Sequence, residues 1–271
     1  MSVDERFMQL ALEAARQGEG LTRPNPPVGA VLVREEVVLA TGWHAVAGGD
    51  HAERACLNAV AGEDLSGSTL YITLEPCSTY GRTPPCSAFI LEHQLQRVVV
   101  GTLDPNPVHA GRGIEQLKES GVEVSVGVCE EDARCLIEPF VSWMVRRRPF
   151  VTLKLAVTLD GRMADAAGSS KWISGGAARE WVQGLRRKVD AVMVGAETVR
   201  RDDPSLLPRP AEGRSPWRII MGEDIPDEAC VVSDEAADRT LIRTGELGPV
   251  LASLAADYDV MHLLCEGGGG V

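Results

Sequence analysis

His51, Glu53, Cys77 and Cys86 place one imidazole, one carboxylate and two thiols within 36 residues, in the segments GGDHAERA and LEPCSTYGRTPPCSAF. An imidazole and two thiolates are ligands that zinc prefers, and three protein ligands leave a fourth tetrahedral position for a water whose pKa falls to roughly 7. Glu53, two residues beyond His51, is then placed to take a proton from that water and deliver it to a departing amine. Those roles together describe hydrolytic deamination of an amidine-like ring carbon. Two blander readings compete. A closed structural zinc site needs a fourth ligand, for which Cys56 on the same predicted helix is the candidate, and it would leave Glu53 beside the metal unexplained. Glu53 as a solvated helix residue is the other. Cys56, Cys129, Cys135, Cys230 and Cys265 otherwise read as small core residues.

Composition narrows the class. With 271 residues the chain is long enough for two ordinary domains, each with its own core. Hydrophobic residues make up 44% and mean hydropathy is -0.03, while no apolar run approaches the ~20 residues that span a bilayer. The opening MSVDERFMQLALEAARQGEG has early acidic residues and helical amphipathicity where a signal peptide would be basic and then apolar, so a cytoplasmic location is expected. Seven scattered cysteines, an odd number, imply reduced thiols rather than a disulfide scaffold. A net charge of -12 speaks against a nucleic-acid partner, although a local basic patch could hold one small phosphate.

The elements that must position the four residues follow from periodicity. Phe7, Leu10, Ala11, Ala14 and Ala15 recur at helical spacing, and that helix ends near Gly18 and Gly20. The turn RPNPPVG leads to a strand at 30–33, paired in a hairpin with 37–42 around Arg34, Glu35 and Glu36. Helices are predicted at 51–61, 86–93 and 113–120, and strands at 69–74, 97–101 and 122–128. The block closes at RRRP, giving a first domain over 1–146 and a second over 150–271. In the second, strands are predicted at 151–159, 191–194, 217–221, 240–243 and 260–265, with a helix at 177–188. Strands alternating with helices make both halves layered α/β. Gly195 to Thr198, after a buried strand, would open a helix suited to a cofactor phosphate or ribose, and no G-x-G-x-x-G marks a standard dinucleotide fold.

His51, Glu53 and Pro76-Cys77 match the H-x-E…P-C-x-x-C pattern of zinc deaminases, with one departure: eight residues, not two, separate Cys77 from Cys86. With PNPPVGAVLV, GWHAVAGGDHAE, PCSTYGRTPPC and DPNPVHAGRG in the first half, the sequence resembles the bifunctional deaminase/reductase family of riboflavin synthesis. LKLAVTLDGRMADAAGSSKWIS, LRRKVDAVMVGAETVRRDDPSLLPR and LCEGGG extend the resemblance from residue 7 to 271. It implies a cytidine-deaminase-like three-layer domain followed by a dihydrofolate-reductase-like α/β domain. The implied reactions are zinc-dependent removal of the 2-amino group of 2,5-diamino-6-(5-phosphoribosylamino)-4(3H)-pyrimidinone as ammonia, then NADPH-dependent reduction of ribosyl to ribityl.

By the same resemblance, zinc falls to His51, Cys77 and Cys86, with Glu53 as proton shuttle. Asn25, His44 and Arg82 match substrate positions of the deaminase; a turn-capping Asn, a satisfied strand-end His and a solvated Arg are their ordinary readings. Ala156, Trp172, Thr198 and Asp202 match NADPH contacts, and Ser170, Arg186, Leu206, Arg209 and Glu266 match substrate contacts of the reductase. Arg186 and Arg209 could grip a phosphate, although Arg186 within the run Arg186, Arg187, Lys188 reads by itself as exposed. A homo-oligomer is expected, with no membrane or nucleic-acid partner.

Three departures qualify this picture. Thr79 stands where the family usually has His, the one support for a paralogue acting on another aminopyrimidine or purine. Gly222 replaces a common Asp. The chain stops at Val271, soon after the EGG turn, so the second domain is expected to be incomplete, with an exposed sheet edge and weak reductase activity or aggregation unless another chain covers it. A non-catalytic remnant with an oligomerising second half is the third reading.

Overall fold

A computed structural model of the chain describes residues 1–80, 84–107, 109–165, 170, 172–210 and 214–267. Two units result, Met1–Arg146 and Arg147–Val271. Among the described residues no helix is long and apolar enough to cross a membrane.

The first unit runs α1 (Val3–Arg16), β1 (Gly29–Arg34), β2 (Val37–Trp43), α2 (Ala52–Asn58), β3 (Thr69–Leu74), α3 (Cys86–Glu92), β4 (Arg97–Thr102), α4 (Arg112–Glu119), β5 (Glu123–Val126), α5 (Glu130–Leu136) and α6 (Glu138–Val141), then a π-turn at Ser142–Arg146. Ser2 and Glu5 form a capping box that starts α1. The β1–β2 hairpin turns on Glu35 and Glu36, both at positive φ, as a two-residue turn that follows strand twist requires. Strand order is β2-β1-β3-β4-β5, antiparallel at β1 and parallel from β3 to β5.

Alternate residues of these strands feed two cores. Ala30, Leu32, Leu70, Ile72, Val98 and Val100 meet Leu57, Ile90, Ile114 and Leu117 of α2, α3 and α4. Val31, Val33, Tyr71 and Val99 meet Phe7, Met8 and Leu12 of α1 and Ala133 of α5. A period of two thus makes a three-layer sandwich, as expected of a cytidine-deaminase-like unit.

The second unit contains β6 (Phe150–Leu153), α7 (Gly176–Lys188), β7 (Ala191–Gly195), α8 (Ala196–Asp202), β8 (Trp217–Met221), α9 (Cys230–Ser233), β9 (Thr240–Arg243), α10 (Leu247–Tyr258) and β10 (His262–Cys265). Its sheet, β6-β10-β7-β8-β9, is parallel throughout. A parallel sheet needs both faces covered. Val192, Val194, Ile220 and Leu264 pack under Leu185, Val199 and Leu206, while Ala191, Met193, Ile219 and Leu263 pack on Val250 and Leu254 of α10. Arg218, wholly buried in β8, is neutralised by Asp234 at 2.7 and 2.8 Å and donates to the Ser205 carbonyl at 3.2 Å.

Several expectations change. The strand expected over 151–159 ends at Leu153, because β10 ends at Cys265 and the last ladder bond is Lys154 N–H to the Cys265 carbonyl. Thr158 to Arg162 then closes a side-chain-supported turn. The helix expected to Ala61 stops at Asn58, and the strand over 122–128 shortens to Glu123–Val126. Helices α5, α6, α9 and α10 were not expected; α10 carries Gly248 and Pro249 among apolar residues and lacks a clear polar stripe. Cys56 and Cys265 are core residues, but Cys129 and Cys230 are half-buried and Cys135 is exposed.

One ion pair ties the first unit together. Both oxygens of Asp4 accept from Arg97 at 2.9 Å, Tyr71 donates its hydroxyl to Asp4 at 2.8 Å, and Arg97 reaches Ser125 at 2.8 Å, joining α1 to β3, β4 and β5. Arg97 holds the Asp4 carboxyl below its usual pKa. The ionised pair therefore stabilises the fold above the unfolded carboxyl pKa of about 3.9, and that contribution is lost as pH falls further through the lower folded value. Asp4→Asn should cost about 1 kcal/mol at pH 7 in urea denaturation, with the gap to wild type closing near pH 3.

Candidate active sites

Four segments from separate elements meet at one end of the first sheet. His51 is the N-cap of α2, and Glu53 lies in its first turn, buried. α2 sits unusually close to β2: a Cβ on Gly42 would stand 2.3 Å from the Cys56 nitrogen and 2.7 Å from the Ala52 carbonyl oxygen. Cys77 follows the turn Glu75-Pro76 off β3, and Cys86 opens α3. Arg54 joins α2 to α3, donating to the Pro84 carbonyl at 3.2 Å with its guanidinium 4.2 Å from the Phe89 ring centre.

His51 Nδ1 lies 3.7 Å from Cys77 Sγ and 3.4 Å from Cys86 Sγ, and the three ligand atoms all fall within 4.8 Å of one another. Zinc bonds of about 2.0–2.1 Å to nitrogen and about 2.3 Å to sulfur give tetrahedral N···S edges of roughly 3.5 Å, so donor set and spacing fit the metal. Cys56, the fourth ligand that a closed site would need, instead points at the Ala40 carbonyl at 3.5 Å, and burial pushes its thiol up to about 12. Among the described residues the cluster has three ligands, the arrangement of an open site.

The electrostatics are those of groups sharing protons in a confined space. A hydrogen bond from the Cys86 thiol, with His51 close by, lowers Cys77 to about 4, and the same bond together with burial raises Cys86. His51 is raised by Cys77. Burial pushes Glu53 up to about 7, with His51 opposing. His44 is 2% exposed and burial lowers its pKa. A neutral ring fits its partners: Nδ1 donates to the Asp50 carbonyl at 2.8 Å, and Nε2 accepts from Asn25 Nδ2 at 3.1 Å.

These side chains open onto a cavity of about 280 Å³. Asn25, His44, His51, Glu53 and Cys77 line it, joined by Asp104, Asn106 and His109 from the segment before α4 and by Phe140, Trp143 and Met144 from the end of the unit. The second unit holds a cavity of about 760 Å³ beside the carboxyl ends of β7 and β10. Ala156, Ser170, Trp172, Arg186, Thr198, Asp202, Leu206, Arg209 and Glu266 all line it. Arg186 grips both oxygens of Glu266, at 2.7 and 3.0 Å, and donates to the Leu207 carbonyl at 3.3 Å.

Two family models match the chain, the cytidine and deoxycytidylate deaminase zinc-binding region over residues 1–102 and the RibD C-terminal domain over 149–271. The riboflavin biosynthesis protein RibD of Aquifex aeolicus is 43% identical over 98% of this chain and 81% of its own length. That of Mycobacterium tuberculosis is 43% identical over 98% of this chain and 79% of its own length. The chain belongs to the RibD family. RibD structures agree in fold: Acinetobacter baumannii RibD superposes with a TM-score of 0.86 at 37% identity, covering 99% of this chain and 81% of that one. The diaminohydroxyphosphoribosylaminopyrimidine deaminase/5-amino-6-(5-phosphoribosylamino)uracil reductase of Thermotoga maritima does so at 0.86 and 41%, covering 98% and 81%. This RibD chain thus pairs a deaminase unit with a reductase unit of riboflavin biosynthesis.

Of the described site residues expected from the sequence, those of the first unit gather at the His51, Cys77 and Cys86 cluster and its cavity, and those of the second unit line the other cavity. Arg82 lies outside the described residues. Arg186 is not the exposed member of a basic run: its side chain is 14% exposed and paired. Sequence reasoning missed Asp104, Asn106 and His109, although DPNPVHAGRG had been noted as a motif, and missed Phe140, Trp143 and Met144 in a stretch with no assigned element. Thr79 is absent from the described lining of the cavity. Gly222 has a structural account, since at φ +121° its Cβ would stand 2.9 Å from Ala196 Cβ at the start of α8.

Because the contact at Gly42 is backbone against backbone, Gly42→Ala must displace α2 and with it His51 and Glu53. The variant should lose about 1–3 kcal/mol of stability, and metal analysis after dialysis should find less zinc per chain than in wild type.

Proposed function

We propose that the first unit hydrolyses the 2-amino group of 2,5-diamino-6-(5-phosphoribosylamino)-4(3H)-pyrimidinone, releasing ammonia and 5-amino-6-(5-phosphoribosylamino)uracil. The second unit then reduces the ribosyl group of that product to ribityl with NADPH, in the cytoplasm. The observation that carries the reading is the convergence of His51, Cys77 and Cys86 at zinc spacing beside a buried carboxyl, on the wall of a cavity.

His51, Cys77 and Cys86 would hold zinc, which when bound supplies Lewis acidity and a water acidified to about pKa 7. Glu53 takes a proton from the attacking water and carries it to the departing amine, so one carboxyl serves as base and then acid. Its burial keeps bulk water from short-circuiting that transfer. Asn25, held by the neutral His44 ring, fixes the pyrimidine ring by its amide. In the second unit, Ala156, Trp172, Thr198 and Asp202 contact NADPH, while Ser170, Arg186, Leu206, Arg209 and Glu266 contact the sugar phosphate. Arg186 is already engaged by Glu266 and offers the phosphate its remaining donors; Arg209, exposed, offers its whole guanidinium.

A homo-oligomer belongs to the same reading. Among the described strands β6 is an edge, and its Val151 and Leu153 are exposed. Sedimentation velocity should give a species larger than the 29.0 kDa chain.

One coupled assay, recording ammonia release and NADPH oxidation on the diaminopyrimidinone substrate, tests both units. Wild type should release ammonia, and NADPH oxidation that follows it reports the second unit. Glu53→Ala should lose about 100-fold or more of ammonia release with zinc retained, whereas Cys86→Ser should lose zinc and activity together. Zinc loss in Glu53→Ala would make Glu53 a ligand and overturn its assigned role.

A further inference from the structure

The motif DPNPVHAGRG, residues 104–113, has a role that the zinc ligands and proton shuttle leave unfilled. Asp104, Asn106 and His109 from it line the deaminase cavity. His109 Nδ1 is buried with no hydrogen-bond partner among the described residues, which leaves one ring nitrogen for a ligand. Asp104, Asn106 and His109 stand between β4 and α4, where the His109 and Ala110 N–H groups bond to the Asn106 carbonyl at 2.9 and 3.0 Å, which shapes the turn but does not tie it to the sheet.

One buried carboxylate does so. Glu75 is 4% exposed. Its Oε2 accepts from the Asp104 N–H at 3.2 Å and from the Gly111 N–H at 2.9 Å, and its Oε1 accepts from the Gly113 N–H at 3.1 Å. The first of these amides follows β4, and the other two belong to the start of α4. The anchor is coupled to the metal turn by its own backbone, because Glu75 donates its N–H to the Thr102 carbonyl at 2.9 Å and stands two residues before Cys77. A Cβ on Gly113 would lie 2.1 Å from the Pro76 carbonyl oxygen, so the start of α4 also packs directly on that turn.

We propose that Glu75 is a positioning residue for the deaminase: it ties down Asp104 after β4 and Gly111 and Gly113 at the start of α4, and so sets the face that Asp104, Asn106 and His109 present to the substrate. The inference rests on the deaminase reading of the cavity. Three N–H donors meeting two oxygens require a group that only accepts. An amide in the same place would turn an N–H₂ donor against at least one backbone N–H, leaving buried donors unpaired.

The test compares the full zinc-loaded chain with Glu75→Gln and Glu75→Asp, by hydrogen exchange with mass spectrometry and by steady-state ammonia release. In Glu75→Gln, exchange across 104–113 and the KM for the diaminopyrimidinone should each rise about 10-fold or more, with kcat and zinc content within about 3-fold of wild type. Glu75→Asp keeps the charge but reaches less far, so both quantities should fall between wild type and Glu75→Gln. This ordering remains readable if the Gln variant folds poorly. Unchanged exchange over 104–113, or zinc loss with an unchanged KM, overturns the proposal. So does a raised KM in Glu75→Asp with wild-type exchange, which would mean that the carboxylate touches substrate directly. If wild type itself releases no ammonia, the deaminase reading fails, while the exchange result still decides whether Glu75 anchors the loop.

Discussion

The deaminase unit depends on the close approach of α2 to the hairpin at Gly42. A zinc-sized cluster requires three ligand atoms from three elements to lie within 4.8 Å of one another, a tolerance far finer than side-chain flexibility can supply on its own. His51 and Glu53 both belong to the start of one short helix, so the seat of that helix sets both the proposed ligand and the proposed proton shuttle. The seat is made by an absence: without a Cβ at position 42, the backbone of α2 descends onto β2 until atoms of Ala52 and Cys56 fill the space. Arg54 then fastens α2 to α3, and Cys86 arrives with it.

Beyond this contact three charged groups with little or no exposure are each answered by several donors or a counter-charge. Arg218 is paired with Asp234 and fixes the segment leading to Leu206, which has a left-handed backbone at φ 61° in the wall of the second cavity. Arg186 and Glu266 satisfy each other on the same wall. Glu75 binds backbone amides rather than a cation. In all three cases a charge that would be costly in isolation fixes a loop that has no regular structure, which is how irregular segments come to present side chains at set positions.

The sheets and a donor cluster that could hold zinc were legible in the sequence because they rest on local signals. Alternating apolar residues in β1, β3 and β4 sort themselves onto two faces, and zinc chemistry is written in the types and spacing of His51, Cys77 and Cys86. The helices α5, α6 and α10 escaped because their apolar residues show no clean period, and α10 includes Gly248 and Pro249. The strand read through Leu159 failed for a related reason: alternation from Val151 onward is real, but a strand lasts only as long as its neighbour, and β10 stops at Cys265.

By itself, then, the sequence determined the donor types available to this RibD chain, an imidazole, two thiols and a carboxyl in the order of the zinc deaminase pattern, followed by a second α/β unit. It also determined most of the strands, since period and ligand type are properties of the chain taken in order. The tertiary structure alone decided which residues share a cavity. Asp104, Asn106 and His109 face the residues of α2 because Glu75 bonds to amides that lie 29, 36 and 38 positions away. Arg186 left solvent because Glu266, 80 residues on, folded against it. Close approach between distant backbones and the pairing of buried charges are set by packing in three dimensions, and neither has a period that one dimension can display.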